Sequence, residues 1–453
     1  MSNNLFREFE SVSAKQWKQK IQFDLKGADY NNTLIWKTNE DIDVKPFYHA
    51  DGFNSLPNIS NTKATAWKIC QSIFVADVEK SNLKAINAIE RGAENINFII
   101  PSETVSLENL IININPNKTL LSFKLQFLSE EFTTQLNTLI PSAKIDVDCI
   151  GHLAKTGNWF KNLNDDFKFL EANTINNSFI SVHASLYQNA GANLVQQLAY
   201  SIAHANEYLN FLDTTNIKLQ SINISFHVSV GTNYFFEIAK LRALRKLWQS
   251  LALEYDANPE CEINITPTKR NKTLYDYNTN LLRTTTECMS AILGGANSIC
   301  NLPYDAIYHK SNEFSERIAR NQLLILKHES YFDKVNNPTD GSYYIESLTN
   351  QLSEKALELF KSIEANGGFL KQLKAGTIQR KIKESAKREQ QQFDSGEEIL
   401  LGTNKHPNAN DKMKNELELY PFVKINKRKT LIEPIIEKRL SEHFEQKRLK
   451  NEN

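Results

Sequence analysis

The stretch SFISVHASLYQNAGAN, residues 178–193, decides the fold class, because an extended run passes here through a short polar loop into a helix. Its first half alternates apolar and polar side chains, as a half-buried strand does. The residues that follow place Leu194, Leu198, Ile202 and Leu209 on one helical face. A strand followed by a helix is a βα unit, so this part of the sequence predicts an α/β fold.

The loop between this strand and this helix lies where α/β folds usually keep their chemistry. Ser185, Gln188 and Asn189 can form hydrogen bonds, but none of them has an unperturbed pKa near neutrality, and Leu186 is apolar. General acid–base catalysis needs a group that titrates near the working pH. The loop therefore has the position of an active site without its chemistry.

Short β-rich runs alternate with helical runs between residues 67 and 330, and repeated βα units favour a closed parallel barrel of the (β/α)8, or TIM-barrel, type. The predicted strands are residues 67–75, 95–100, 119–127, 144–150, 178–185, 222–230, 261–268 and 298–303. An open doubly wound sheet is the alternative, and the absence of a G-x-G-x-x-G or P-loop fingerprint weighs against it. Residues 1–66 are predicted to form an N-terminal arm and residues 331–453 a helical C-terminal tail.

Four of the predicted strands carry polar residues on one face, whereas an ordinary barrel interior is packed with branched apolar side chains. The polar face holds Asp146, Asp148, Ser181, His183, Ser225, His227, Asn264 and Thr266. The opposite faces are apolar and are expected to meet the helices. A polar interior requires water, a satisfied network or a bound polar ligand, because each unmet buried group costs on the order of 1–3 kcal/mol. We expect these residues to line a channel along the barrel axis.

The overall composition excludes several classes of partner. Lysine plus arginine number 53 and aspartate plus glutamate also number 53, so no net field attracts nucleic acid or an anionic membrane. No apolar run approaches the roughly 20 residues that span a bilayer, and the N-terminus lacks a signal-peptide pattern. Five scattered cysteines without a C-x-x-C pair argue against a zinc knuckle or a disulfide framework. The expectation is a cytoplasmic protein that binds neither nucleic acid nor membrane.

Two further kinds of site are suggested by the residue types. His183 and His227 have no definite third ligand, so they are predicted to belong to a hydrogen-bond network with no metal bound. The run KLRALRK, residues 240–246, offers Arg242 and Arg245 as contacts for a phosphate. A charged run on an amphipathic helix is more often a solvated face, and both interpretations of the arginines stay open.

Several segments together resemble the barrel domain of the methylmalonyl-CoA mutase family. They are LKGADY (25–30), DIDVKPFY (41–48), QNAGAN (188–193), IAKLRALRKLW (238–248), LLRTTTECMSAILGGANS (281–298), FSERIARNQLLILKHES (314–330) and NPTDGSYYIESLTNQL (337–352). The resemblance covers roughly residues 15–445. It implies an eight-stranded barrel whose polar axis holds the pantetheine arm of coenzyme A. It also implies a radical rearrangement of methylmalonyl-CoA to succinyl-CoA, part of propionate metabolism, with adenosylcobalamin supplying the radical.

The chain departs from the catalytic members of that family at the positions that carry chemistry. Where they read G-Y-H-M-Q-E-A-G-A, Ser185 replaces the tyrosine, Leu186 the histidine and Asn189 the glutamate, while Gln188 is kept. The tyrosine of their R-Q-Y-A-G-F motif is missing from WKICQSIF, residues 67–74. Where they read G-H-T-Q-S, this chain has Gly295 for the histidine and Asn297 for the glutamine. The D-x-H-x-x-G motif that supplies the cobalt ligand does not occur.

The pattern resembles the small subunits that pair with a large catalytic subunit in heterodimeric members of the family. It implies no catalytic residue and no cofactor in this chain, adenosylcobalamin in the large subunit, and a barrel without a cobalamin domain. The arm, with Trp36, Pro46, Phe47 and Tyr48, is expected to wrap the large subunit. An independent acyl-CoA barrel enzyme using Asp146 or His183, and an acyl-CoA or cobalamin-protein chaperone, remain alternatives. Whether coenzyme A enters this barrel stays open.

Overall fold

The computed structural model describes residues 8–54, 60, 62–424 and 427–452, and its central feature is a sheet of eight parallel strands. The strands are β1 (Lys68–Phe74), β2 (Asn95–Ile100), β3 (Leu120–Leu125), β4 (Lys144–Asp146), β5 (Phe179–Val182), β6 (Asn223–Val230), β7 (Cys261–Pro267) and β8 (Ser298–Cys300). Each coincides with a predicted strand. The α/β barrel prediction is confirmed, and the open doubly wound alternative is wrong, because the sheet curls so that its first and last strands meet.

The strands are hydrogen-bonded in the order β4-β3-β2-β1-β8-β7-β6-β5, so β4 and β5 are the two edges of the sheet. Side chains show which face is the interior. Lys144 of β4 forms an ion pair of 2.5 Å with Glu262 of β7, although two strands separate them around the barrel. Asn95 of β2 likewise donates to Ser298 of β8, across β1. The polar faces of the strands therefore point toward the barrel axis.

The seam between β4 and β5 is closed by side chains. The predicted fourth strand is too long at its carboxyl end, because Asp148 leaves the strand and caps the next helix by accepting from the Gly151 amide at 2.7 Å. The other oxygen of Asp148 accepts from the main-chain amide of His183, just after β5, at 2.6 Å. A second bond joins Asp146 to the His183 ring at 2.6 Å. Two aspartates at the carboxyl end of β4 thus hold the carboxyl end of β5.

Helices cover the outside of the barrel and extend beyond it at both ends of the chain. They are α1 (Ala14–Asp24), α2 (Tyr30–Leu34), α3 (Val78–Glu90), α4 (Leu107–Ile111), α5 (Glu130–Leu139), α6 (Cys149–Thr156), α7 (Leu163–Asn177), α8 (Ser185–Asn189), α9 (Leu194–Asp213), α10 (Tyr234–Glu254), α11 (Thr279–Leu293), α12 (Glu313–Leu324), α13 (Tyr343–Ala365), α14 (Phe369–Lys374), α15 (Thr377–Ser395) and α16 (Glu442–Lys450). The outward faces of the strands pack on them, as Phe226 does on Trp248 with ring centroids 5.7 Å apart. In the described part of the chain, no helix has the length and apolar character that crossing a membrane requires.

The N-terminal arm divides into a packed part and an exposed part; residues 1–7, 55–59 and 61 of the predicted arm lie outside the described residues. Trp36 meets Phe236 of α10 edge to face at 5.8 Å, and Tyr48 lies 5.1 Å from Tyr344 of α13. These arm residues therefore have contacts within their own chain. By contrast, none of the residues of α1, all of which the structure describes, is buried.

The C-terminal tail returns across the carboxyl ends of the barrel strands. Main-chain amides of Ile435, Lys438 and Leu440 donate to carbonyls of Ala154, Asn189 and Arg270 at 2.8–3.0 Å. The final helix α16 is anchored as well, because the fully buried Glu445 accepts from the Leu274 amide at 2.7 Å. The first turn of this charge-rich helix is therefore buried against the rest of the chain at Glu442 and Glu445.

The seam generates a prediction for Asp148→Asn. Its Oδ1 accepts from Gly151 N, from His204 Nε2 at 2.9 Å and from Tyr208 OH at 2.6 Å, all buried. An amide places a donor against donors and removes the charge, so the variant is expected to lose on the order of 3 kcal/mol of unfolding free energy in urea. Asp165→Asn, at an exposed position in the first turn of α7, should stay within about 0.5 kcal/mol of the parent.

The same carboxylate gives the prediction a pH signature. Burial alone raises the pKa of Asp148, but the charge and hydrogen bond of His204, with His183 and Tyr208, outweigh burial and hold the pKa below its usual range. Its stabilising contribution is therefore present above the unfolded pKa of about 3.9 and is lost as the pH falls below it. Urea midpoints of parent and Asp148→Asn should converge on acidification. Equal loss of stability in both proteins between neutral pH and about pH 3 would contradict this account.

Candidate functional site

The predicted channel residues lie together in the barrel interior. Asn264 of β7 donates to Ser225 of β6 at 2.7 Å, and the Ser225 hydroxyl lies 3.5 Å from Nε2 of His227. Ser181 of β5 is fully buried, and its hydroxyl has no hydrogen-bond partner among the described residues. Thr266 follows Asn264 on the same face of β7. The structure thus brings these residues together, and their role toward acyl-CoA stays a prediction.

Asp146, His183 and His227 form the main titratable cluster of the interior. Nε2 of His183 lies 2.6 Å from Oδ1 of Asp146, and Nε2 of His227 lies 3.4 Å from Oδ2. Burial alone raises the pKa of Asp146. The two histidines outweigh burial and hold the pKa of this carboxyl well below its usual range. Burial lowers the pKa of His227 to about 4, against the opposing pull of Asp146. At neutral pH the cluster therefore offers a carboxylate and, at His227, a neutral imidazole.

The loop after β5, whose Ser185–Asn189 forms the short helix α8, is packed into the protein. Leu186 is 4 % exposed and belongs to the hydrophobic core. Tyr187 is fully buried, and its hydroxyl lies 2.9 Å from Nδ1 of His204, whose other nitrogen contacts Asp148. The loop is thereby connected to the seam. Its first residues serve packing and hydrogen bonding.

Gln188, the residue kept from the family motif, belongs to a buried polar cluster at the mouth of the barrel. Its amide nitrogen donates to Glu237 Oε1 at 3.0 Å, and its oxygen accepts from Lys240 Nζ at 3.1 Å. Lys240 also donates to Gln197 and to the carbonyl of Ser229, and pairs with Glu237 at 2.5 Å. Burial lowers the pKa of Lys240, and Glu237 opposes that shift.

Asn189 connects the loop to strand β7 and to the C-terminal tail. Its Oδ1 accepts from the Thr268 hydroxyl at 2.7 Å and from the Lys269 amide at 3.0 Å. Its Nδ2 donates to Glu437 at 3.1 Å. Every side-chain atom of Asn189 that forms hydrogen bonds is therefore occupied within the chain. A carboxylate here would have placed an acceptor against Glu437, so the amide fits this arrangement.

Gly295 and Asn297 do not belong to the same site as Ser185, Leu186 and Asn189. They precede β8, whereas the loop follows β5, and in a parallel barrel strand beginnings and strand ends lie at opposite faces. Gly295 has φ +87°, and a Cβ there would lie 2.6 Å from Cγ2 of Thr62, which gives a steric reason for glycine. The structure divides the five positions between the two faces of the barrel, and their interpretation as lost chemistry stays a prediction.

The two arginines predicted as phosphate contacts are engaged inside the chain. Arg242 is 6 % exposed and pairs with Glu346 at 2.7 Å and Asp340 at 3.2 Å. Arg245 donates to the carbonyls of Cys261 and Gly295 and to Asn297, at 2.6–2.7 Å. These bonds join α10 to neighbouring elements. Phosphate binding by either arginine stays a prediction, and these contacts disfavour it.

Sequence reasoning missed two pairs of buried polar residues. They are Glu237 and Lys240 in the mouth cluster, and His204 and Tyr208 beside the seam. Glu237 and Lys240 are spaced i, i+3, and His204 and Tyr208 i, i+4, so each pair lies on one side of its helix. Each pair is surrounded by apolar residues in the sequence. A charged or polar pair inside an apolar helix pattern is the signal that could have found them, because such groups are buried only with partners.

A cavity of about 180 Å³ lies at the mouth, between Trp36, Glu40, Gln188, Asn193 and Glu237. Pockets for ligands the size of drugs and cofactors are typically about 300–1,000 Å³. The arm contributes to its closure, because the Asn39 carbonyl accepts from Asn193 at 3.0 Å and Glu40 from the Leu194 amide at 3.4 Å. This part of the mouth is thus lined largely by the chain's own polar groups.

Comparison with known proteins places these observations in a family. Residues 130–450 match the family described as methylmalonyl-CoA mutase. The chain is 34 % identical over 444 residues to the methylmalonyl-CoA mutase small subunit of Porphyromonas gingivalis, covering 89 % of this chain and 71 % of that protein. It is 28 % identical over 477 residues to methylmalonyl-CoA mutase of Rhizobium meliloti, of which it spans 64 %, that match covering 88 % of this chain. The Escherichia coli methylmalonyl-CoA mutase is 34 % identical over 233 residues, covering 50 % of this chain and 33 % of that protein.

The mouth cluster generates a prediction for two substitutions on one helix. Lys240→Met leaves the buried Glu237 without its counter-ion and should lower the unfolding free energy by about 3–5 kcal/mol. Lys246→Met, whose ammonium contacts Asn350 at an exposed site on the same helix, should change it by no more than about 0.5 kcal/mol. Urea unfolding followed by circular dichroism measures both. Equal effects of the two substitutions would contradict a structural role for the cluster.

Proposed function

Because the chain belongs to the methylmalonyl-CoA mutase family, we propose that it is a non-catalytic subunit that pairs with a large catalytic subunit of methylmalonyl-CoA mutase. The observation that carries the proposal is the structure of the loop after β5. Leu186 is part of the core, and Gln188 and Asn189 are occupied by the chain's own residues. A loop committed to packing is not free to position a substrate.

The name of the Porphyromonas gingivalis relative, a small subunit, supports the same assignment. A small subunit requires a larger one, and the mutase reaction then takes place in the partner. As the composition led us to expect, we propose that the chain binds neither nucleic acid nor membrane. The five cysteines, all free in the structure, suit the reducing cytoplasm in which we place the complex.

The residues at the barrel mouth do not fit adenosylcobalamin chemistry in this chain. The family motif's imidazole position is the buried Leu186, and main-chain bonds from Lys438 and Leu440 hold the C-terminal tail over the loop and over Arg270. A corrin face would need that region open. We therefore assign the cofactor to the large subunit and derive no step of the reaction through this chain.

Helix α1 is the surface that best suits a partner. Trp17 is 49 % exposed and Phe23 80 % exposed, and on the same arm Phe9 is 73 % exposed. Large aromatic side chains left in solvent by one chain mark protein–protein contacts, and obligate interfaces usually bury more than about 2,000 Å². Trp36 of the same arm is 51 % exposed and extends this surface, so we assign partner binding to the arm and take α1 as the part of it to test.

The double variant Trp17→Ala, Phe23→Ala tests this assignment. Truncating aromatic residues at the centre of an interface costs about 2 kcal/mol or more, so its affinity for the large mutase subunit of the same organism should fall at least about tenfold. Phe314→Ala, which removes a 55 % exposed aromatic side chain on α12, is the matched control and should bind as the parent does. Co-expression, affinity capture and titration measure the effect.

If the large subunit is captured equally well by both variants, α1 is not the interface. If the unaltered chain captures no large subunit, the partner proposal itself is wrong, and the alternatives of an independent acyl-CoA barrel enzyme or a chaperone gain. The Asp146 and His183 pair is the feature that favours such an enzyme. Turnover of acyl-CoA substrates by the isolated chain would support it.

Restoring the missing histidine is expected not to restore activity. Leu186→His places an imidazole in the core without a designed partner and should lower stability by on the order of 1–3 kcal/mol. Catalytic residues act as a unit, and one restored member returns little of the rate. The isolated variant is assayed with adenosylcobalamin and methylmalonyl-CoA, and its melting temperature is measured. Succinyl-CoA formed by the variant but not by the parent would contradict the proposal.

A further inference from the structure

The interior cluster of Asp146, His183 and His227 has the donor set of a metal site. Each residue offers one ligand atom, and the three atoms all lie within 4.8 Å of one another. They come from three different strands, β4, the end of β5 and β6, so the barrel backbone fixes their relative positions. From the sequence no third ligand was definite for the two histidines. The fold supplies it, because Asp146 faces both rings.

The carboxylate of this cluster is incompletely partnered. The Asp146 side chain is 2 % exposed, and its Oδ2 has no hydrogen bond to any described residue. Nε2 of His227 lies 3.4 Å from this Oδ2. A buried carboxylate oxygen without a donor is expensive in free energy. With Oδ1 at 2.6 Å from Nε2 of His183, the carboxylate faces both imidazoles.

The neighbouring Asp148 provides an internal comparison. Its two oxygens accept from Gly151, His204, Tyr208 and the His183 amide, so that carboxylate is satisfied by the protein alone. Asp146 and Asp148, two positions apart, thus differ in how fully their carboxylate oxygens are hydrogen-bonded. The one that is satisfied closes the seam, and the one that is not faces two histidines.

Lys124 is the charged group that competes with a cation here. It pairs in register with Asp146 on the adjacent strand and is electrostatically coupled to it. Its ammonium has no hydrogen bond to Asp146 among the described contacts, so it balances the charge of Asp146 without occupying its free oxygen. Lys124 therefore does not supply the donor that Oδ2 of Asp146 lacks.

We propose that Asp146, His183 and His227 bind one divalent transition-metal ion, with zinc as the closest match, inside the barrel of this chain. Two imidazoles and one carboxylate are a ligand set that zinc accepts with water completing its coordination. Asp148 accepts from the main-chain amide of His183 at 2.6 Å, and the same oxygen lies 3.8 Å from Nδ1, the ring nitrogen that does not face Asp146. The ion would occupy the axis along which relatives of the family are expected to thread pantetheine.

The test is a zinc titration of the full chain after chelator treatment, measured by isothermal titration calorimetry. The parent should bind one zinc ion per chain. His183→Gln with His227→Gln should weaken binding by more than the roughly 10- to 100-fold lost when only an outer-shell group is removed. His309→Gln, which removes the separate His309–Asp305 pair at 3.2 Å, is the matched control and should bind as the parent does.

Several outcomes would overturn the proposal. These are no zinc binding by the parent, equal binding by parent and double variant, or loss of binding in the His309→Gln control, which would place the ion at the surface. Circular dichroism checks the fold of each variant. Should the double variant fail to fold, Asp146→Asn decides, because it keeps the shape of the side chain and removes the charge. Bound cobalt(II) adds a spectroscopic readout, since its visible absorption should depend on the same residues. None of these measurements involves the large subunit, so the result is independent of the proposed function.

Discussion

The carboxylate of Asp148 is the interaction on which the upper part of this barrel depends. The strands on either side of the seam share no backbone ladder, and a parallel sheet left open there would expose two edges. Asp148 follows the last residue of β4 by two positions and caps α6. It also accepts from the main-chain amide of His183 and contacts His204 and Tyr208 of α9. One buried charge thus sets the position of two strands and two helices. The loop after β5 is built on this carboxylate.

That dependence explains why the loop after β5 is structural in this chain. Tyr187 connects it to His204 and so to Asp148, Gln188 connects it to the Glu237–Lys240 pair, and Asn189 connects it to β7 and to the C-terminal tail. The apolar Leu186 fits among them as a core residue. Four consecutive side chains stabilise the barrel mouth.

The sequence predicted the eight strands and the polar inner face, because alternation and βα repetition are local patterns that survive in the fold. It could not show that β4 stops before Asp148, since capping is decided by a helix start that the strand-like run VDCI obscures. Gly295 and Asn297 were predicted as departures from the family pattern alongside the loop residues, and the fold places them before β8, at the opposite face of the barrel. The partners of Arg242 lie about a hundred residues away, so its engagement was visible only in three dimensions.

The central claim is that catalysis in the complex belongs entirely to the large subunit. The most direct measurement is mutase turnover of the complex in which the large subunit's histidine, the one that aligns with Leu186 here, is replaced by alanine while this chain is unaltered. The account predicts that the complex still assembles and that succinyl-CoA formation falls to the background level of the large-subunit variant alone. Residual turnover that disappears when His183 and His227 of this chain are replaced would contradict it.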